Sequence, residues 1–295
     1  MAFRHHFPPE ILDHIVDLLH DDPDALERCC LVSGSWVPRT RKHLFAAVTF
    51  NTRGSIEAWK TTFPSPSDSP GYHTRTLVIT CPEIATAADA KEGGWIRAFP
   101  RVVRLELNNH RFLEDDSKTT YAPFHKISPT VTTLTVASVF LSPPEVFNLI
   151  HSFPLLEDLT LMGNYITNYE SGGSETVDPP ATSPPLTGSL CLTLPGCMTG
   201  IVRRLLDPPN SIRFRKVDVC CTGKKDICST VELIAGCSET LEHLHFMYHL
   251  KGALHSACAS VGRAAHSNFD TQMGSHAVQS TSPERRDLKL SCLSV

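Results

Sequence analysis

The chain lacks any uninterrupted apolar run near the roughly 18–20 residues of a membrane span. Its first residues, Met1-Ala2-Phe3-Arg4-His5-His6, do not form the apolar stretch of about 7–15 residues that marks a secretory signal. The expected setting is therefore the cytoplasm or nucleus, not the secretory path or a membrane. Charge of one sign is not in excess either. Twenty-seven basic residues face 31 acidic ones, for a net charge of −4, which argues against general nucleic-acid binding. There is no glycine-rich phosphate loop, no Gly-x-Ser-x-Gly elbow, no metalloprotease helix and no dinucleotide fingerprint. The expected protein is thus not an enzyme and needs no cofactor.

Cys-x-x-Cys is also missing, although the chain holds 11 cysteines. An odd count without a secretory signal speaks against a disulfide framework. Most of these thiols, such as Cys29, Cys30, Cys81, Cys191 and Cys237, are expected as small buried apolar residues. His243 and His245 would share one face of a strand, near His249, His255 and Cys258, which is a conceivable metal pair. Leu244 and Phe246 alternate with them, so the plainer reading is the wet side of an amphipathic strand, with no metal.

What is present is 41% hydrophobic residues over 295 positions, enough for a sizeable core, and 22 prolines that punctuate the chain. Pro8 and Pro9 suit a helix start, with Glu10 near its positive end. Ile11, Ile15, Leu18 and Leu19 then fall on one helical stripe, widened by Leu12 and Val16. Asp22 and Pro23 start a second helix lined by Leu26, Cys29 and Cys30. Ser33-Gly34-Ser35 ends it. Trp36 opens a third helix, which closes at Leu44 and Phe45 before the strand-like Ala47–Phe50. Three short helices in so few residues bury little on their own. The apolar stripe must meet either the rest of this chain or another protein.

The order Phe7-Pro8-x-Glu10-Ile11, Ile15-x-x-Leu18-Leu19, Asp24-x-Leu26, Leu31-Val32-x-x-x-Trp36 resembles an F-box. Its continuation through Pro38, Arg39, Arg41 and His43-Leu44-Phe45 is similar to F-box-like proteins common in mushroom-forming fungi. The likeness covers residues 7–50. Phe7 stands where leucine is usual, and Gly34-Ser35 where cysteine and arginine usually precede the tryptophan. The resemblance implies docking on the Skp-type adaptor of a cullin–RING ubiquitin ligase. The implied contacts are Phe7, Pro8, Ile11, Ile15, Leu18, Leu19, Leu31, Val32 and Trp36.

After residue 50 a short alternating pattern recurs. Its first apolar positions are Leu77, Leu105, Leu134, Leu159, Leu190, Val217 and Leu244, at steps of 28, 29, 25, 31, 27 and 27 residues. Leucine-rich repeats run about 20–29 residues. Ala98-Phe99-Pro100 before one strand matches Ser152-Phe153-Pro154 before another. Helices are expected at Pro143–His151 and Thr230–Gly236. The array resembles irregular leucine-rich repeats, although the repeat's usual asparagine is mostly missing. Strand–loop–helix units of this length would stack into a right-handed parallel solenoid.

Residues 62–72 form a proline- and serine-rich connection. Residues 170–189 hold four prolines and read as a flexible insertion. Residues 251–295 read as a poorly ordered tail with a possible last strand at 287–291. The expected fold class is α+β: a three-helix module at 5–50, then an α/β leucine-rich-repeat-like solenoid at 51–250. The expected function is a substrate receptor of a Skp–cullin–F-box ligase. Its repeats would hold a target protein through residues beside the strands: Arg75, Arg104, Glu106, Thr135, Glu157, Asp218, His243 and His245. A scaffold outside any ligase, or a zinc- or cysteine-dependent enzyme, are the alternatives.

Overall fold

The structure is a computed structural model that describes residues 8–80, 95–108, 124, 127–138, 143–163, 186–194, 198–207, 212–250, 253–260 and 291–293. It is a mixed α/β fold with parallel strands. Its contacts gather into two compact units, 1–132 and 133–295.

The first unit opens with three helices, α1 (Pro9–Leu18), α2 (Pro23–Val32) and α3 (Val37–Leu44). Each has a proline in its first turn, where the missing N–H costs nothing. The Asp22 carboxylate accepts the Ala25 amide at 2.9 Å and caps α2. Strand β1 (Ala47–Phe50) follows, then helix α4 (Arg53–Thr62). Sequence reading passed over α4. Its signal was the pair Thr52 and Ser55, each of which accepts the other's backbone amide. Strands β2 (Thr76–Ile79) and β3 (Arg104–Asn108) complete the unit's parallel sheet. Val48 lies opposite Leu77, and Leu77 opposite Leu105.

An aromatic cluster joins these pieces. Phe50 stands edge-on to Trp59 of α4 at 5.7 Å, to Trp95 at 5.4 Å and to Phe99 at 6.0 Å. Trp59 stacks on Phe99 at 5.2 Å. Strand, helix and following turn therefore share one set of rings, and edge-to-face pairs add to plain area burial.

In the second unit the parallel order is β4 (Thr133–Ala137), β5 (Asp158–Met162), β6 (Leu186–Thr193), β7 (Ile212–Cys221) and β8 (His243–Leu250). Helices α5 (Pro143–His151), α6 (Met198–Leu206) and α7 (Lys224–Gly236) lie between strands in the chain. α5 packs beside α6, and α6 beside α7. Leu134, Leu159, Leu190, Val217 and Leu244 face one another across the sheet, in the register the sequence spacing implies. All five are buried, and so are Val136, Leu161, Leu192 and Val219 two residues on. Each fully buried leucine or valine side chain contributes about 1.5–3 kcal/mol.

The last strands differ from expectation. β9 (Ala253–Ser260) pairs antiparallel with β8, inside the stretch read as a poorly ordered tail. β10 (Ser291–Leu293) pairs antiparallel with β9, and residues 287–290 lie outside the described residues. Leu186–Ser189, read as part of the flexible insertion, belongs to β6; residues 170–185 lie outside the description. Small residues such as Ala257 and Ser260 hid β9, because a strand's backbone ladder needs no large side chains once a partner strand supplies its hydrogen bonds.

Three threonine hydroxyls repeat one contact. Thr74 donates to the Phe45 carbonyl at 2.8 Å, Thr130 to Val102 at 2.8 Å, and Thr240 to Phe214 at 3.1 Å. Each threonine sits just before a strand or its turn; Thr74 and Thr130 bind the approach to the preceding strand, and Thr240 binds Phe214 inside β7. Gly188 sits at a bulge with φ 81, where an added Cβ would lie 2.3 Å from the Glu157 carbonyl oxygen.

Two substitutions test this packing. Phe50→Ala should lower the first unit's stability by about 3–5 kcal/mol, seen as an earlier denaturation midpoint with unchanged m. A shift worth less than about 1 kcal/mol would contradict the cluster's role. Gly188→Ala should cost at least about 1–3 kcal/mol, because it adds a strained φ to a backbone clash. Faster amide exchange at Ser189, whose N–H bonds Glu157 at 3.0 Å, would locate the damage.

Candidate functional site

Large apolar side chains that water still reaches are the first clue to a contact surface. Among the described residues they are Ile11, Ile15, Leu18, Leu31, Val32, Tyr72, Leu155 and Met162. Five of these eight lie within 22 residues, on α1 and α2, and Leu31 is 87% exposed. Ile11, Ile15 and Leu18 follow one another at i, i+4 and i+7, so they form one outward stripe of α1. Val16, on another side of the same helix, is the residue that α1 buries fully.

This set overlaps the expected adaptor contacts, and the structure sorts them. Pro8 precedes α1 and is exposed, like the stripe. Leu31 and Val32 stand on the last turn of α2, not on the α1 stripe. Leu19 and Trp36 are half-buried; the Trp36 carbonyl accepts the Thr40 hydroxyl at 2.7 Å. Phe7 lies outside the described residues. The stripe is only partly covered, and Leu18 is 69% exposed.

What holds α1 is a polar contact that sequence reading missed. Asp17 Oδ1 accepts Arg39 Nε at 2.6 Å, and Oδ2 accepts Arg39 Nη2. His43 Nε2 lies 2.7 Å from the same Oδ1. Arg39 and His43 are one turn apart on α3, so both reach one carboxylate. That i, i+4 spacing was visible; its partner, a lone inward acid on α1, was not. The Arg39 guanidinium, and after it His43, hold the Asp17 carboxyl far below the usual carboxylate range.

The expected target contacts divide between the units. In the first unit Arg75 and Arg104 are exposed and Glu106 is half-buried, with Arg104 Nη1 3.9 Å from Glu106 Oε1. In the second unit the register sets Thr135, Thr160, Cys191, Asp218 and His245 in one row across five strands. His245 Nδ1 lies 3.0 Å from Asp218 Oδ1. His243 is exposed in the next row, with Thr133, Asp158, Ser189 and Lys216. Glu157, just before β5, is exposed. Thr160, Ser189 and Cys191 belong to this face but were not singled out; their signal was the polar alternation in each strand. Parallel sheets usually have both faces covered. Here the side chains of these rows are mostly half-exposed.

The cysteines need one correction. Cys29, Cys220, Cys221 and Cys237 are buried, but Cys191 and Cys30 are half-exposed and Cys228 is exposed. Cys191 points to the polar face because its neighbours Leu190 and Leu192 take the core positions. Burial, then the Asp218 charge, push the Cys191 thiol up; burial pushes Cys237 up to about 11. Such thiols stay protonated at neutral pH, which disfavours nucleophilic chemistry. Cys81 lies outside the described residues, as do the side chains of His249, His255 and Cys258. Among the described residues no three His, Cys, Asp or Glu side chains gather as a metal site. No described helix is long and apolar enough to cross a membrane.

No family model matches the chain, and comparison with curated proteins and solved structures finds no significant match.

The Asp17 contact has a definite pH sign. A carboxyl depressed in the folded state stabilises fully above its ordinary value of about 3.9, and that stabilisation is lost as pH falls toward the depressed value. The Asp17 carboxyl carbon resonance should therefore show no protonation step from about pH 7 to about pH 4 and move only in stronger acid. A protonation midpoint near the ordinary value of about 3.9 would contradict the contact.

Proposed function

We propose that this chain is the substrate-recognition subunit of a Skp–cullin–F-box type ubiquitin ligase. α1, α2 and α3 act as an F-box-like module that docks the Skp-type adaptor. The observation that carries this reading is the exposed stripe Ile11, Ile15 and Leu18, with Leu31 and Val32 exposed on the neighbouring helix. These positions coincide with the ordered motif. Covering one such side chain would contribute about 1.5–3 kcal/mol before the cost of association.

The strand–helix units form a leucine-rich-repeat-like solenoid on this reading. Their near-regular steps and matched apolar register support it. The polar strand face, with Thr135, Asp218, His243 and His245, together with Arg104 and the half-buried Glu106 on β3 and the exposed Arg75 and Glu157 just before their strands, holds the target protein. The chain performs no chemistry itself. It raises the effective concentration of target lysines near the ubiquitin-loading partner. It works where cullin–RING ligases do, in the cytoplasm or nucleus.

Binding of the purified chain to a Skp-type adaptor, measured calorimetrically, tests the reading. The parent should bind, and Ile15→Asp should weaken binding at least about thirty-fold, the scale of an interface hot spot. Its circular dichroism should match the parent, because Ile15 is 39% exposed. Absence of binding by the parent, or equal binding by the variant, would overturn the assignment. A parent that binds targets but no adaptor would be a scaffold outside the ligase.

A further inference from the structure

Resting on that docking role, we propose that Asp17 is the positioning residue of the adaptor surface: its grip on Arg39 and His43 fixes α1 so that Ile11, Ile15 and Leu18 face outward.

α1 has 10 residues, and its N-cap residue Pro8 makes no side-chain cap bond. Helices shorter than about 12–15 residues are marginal alone in water. α1 fully buries only Val16, while Leu12 and Leu19 are half-buried. Its outward stripe stays partly in water, with Ile11 47% and Leu18 69% exposed, and so adds little to the free chain's core. An apolar helix with this little burial would gain by rotating the stripe inward. Asp17 opposes that rotation. A guanidinium fork on a carboxylate fixes direction as well as distance, because both bonds must be met in one plane. His43 adds a second direction at 2.7 Å. Both partners stand on α3, the helix that α1 packs against. Asp17 and Arg39 side chains are each about one-third exposed, at 35% and 32%, so neither is free in water nor fully desolvated. His20 Nδ1 lies 3.0 Å from the Asp17 carbonyl oxygen, which ties the same turn again.

Removing the grip should leave the stripe's chemistry intact but its presentation variable. Apparent affinity then falls by the fraction of molecules that hold the competent orientation. The deficit belongs to the association rate, because the complex once formed is the same.

The test uses the full chain with two readouts, amide exchange of residues 9–18 and adaptor binding kinetics. Asp17→Ala should speed α1 exchange at least about tenfold and raise the adaptor Kd by the factor by which the competent fraction falls, mostly through slower association. Asp17→Glu, which keeps the carboxylate, should recover most of both. Arg39→Lys keeps the charge but loses the fork, and should fall between. It also serves if Asp17→Ala disturbs β1–β3, whose exchange is the check on folding. Ile15→Asp should raise the Kd with α1 exchange unchanged. If Asp17→Ala leaves α1 exchange at the parent rate, the positioning role is wrong. If exchange rises while adaptor binding keeps its parent kinetics, it is also wrong. If Ile15→Asp binds like the parent, the docking reading fails instead, and the exchange data identify which of the two has gone.

Discussion

A parallel strand ends at the opposite edge from where its neighbour begins, so the chain must cross the sheet before each new strand. Much of this structure follows from meeting that constraint repeatedly. Each crossing brings a leucine or valine to the same depth: Leu77 and Leu105 in one unit, Leu134, Leu159, Leu190, Val217 and Leu244 in the other. A slip by one residue would turn every core side chain to the polar face. The threonines before several strands, Thr74, Thr130 and Thr240, hold the approach in place by bonding the previous strand or the residues leading into it.

The first unit solves a second problem with different means. Its three short helices bury few side chains, and their most apolar surface faces water. Hydrophobic burial alone does not orient such a helix, because it is not directional. The Asp17, Arg39 and His43 contact is directional, and it lies on the side of α1 away from the stripe's role. An exposed apolar surface and a polar anchor behind it are complementary features: the first costs the free chain solubility, and the second keeps that surface available.

The second unit has a polar sheet face whose described side chains are mostly half-exposed. Its rows combine small hydroxyl residues with Asp158, Lys216, Asp218, His243 and His245. The ionisable groups partly satisfy one another, as in His245 with Asp218 and Asp158 with the Ser189 hydroxyl.

The sequence by itself determined the local pattern. Prolines with Asp22 marked helix starts, and alternation at near-regular steps marked the strands and even their register, because side-chain period is a local property. It also marked the apolar stripe of α1. It did not reveal α4, α6 or β9. α4 is anchored by aromatic rings distant in sequence, Phe50 and Phe99, and β9 by the ladder of β8. Only the tertiary structure decided which apolar residues stay in water, since Val16 and Ile15 are neighbours with opposite fates. It also decided that Asp17 meets Arg39 and His43, 22 and 26 residues away. Such pairs depend on how helices cross, and that geometry follows from the whole core and not from any one segment.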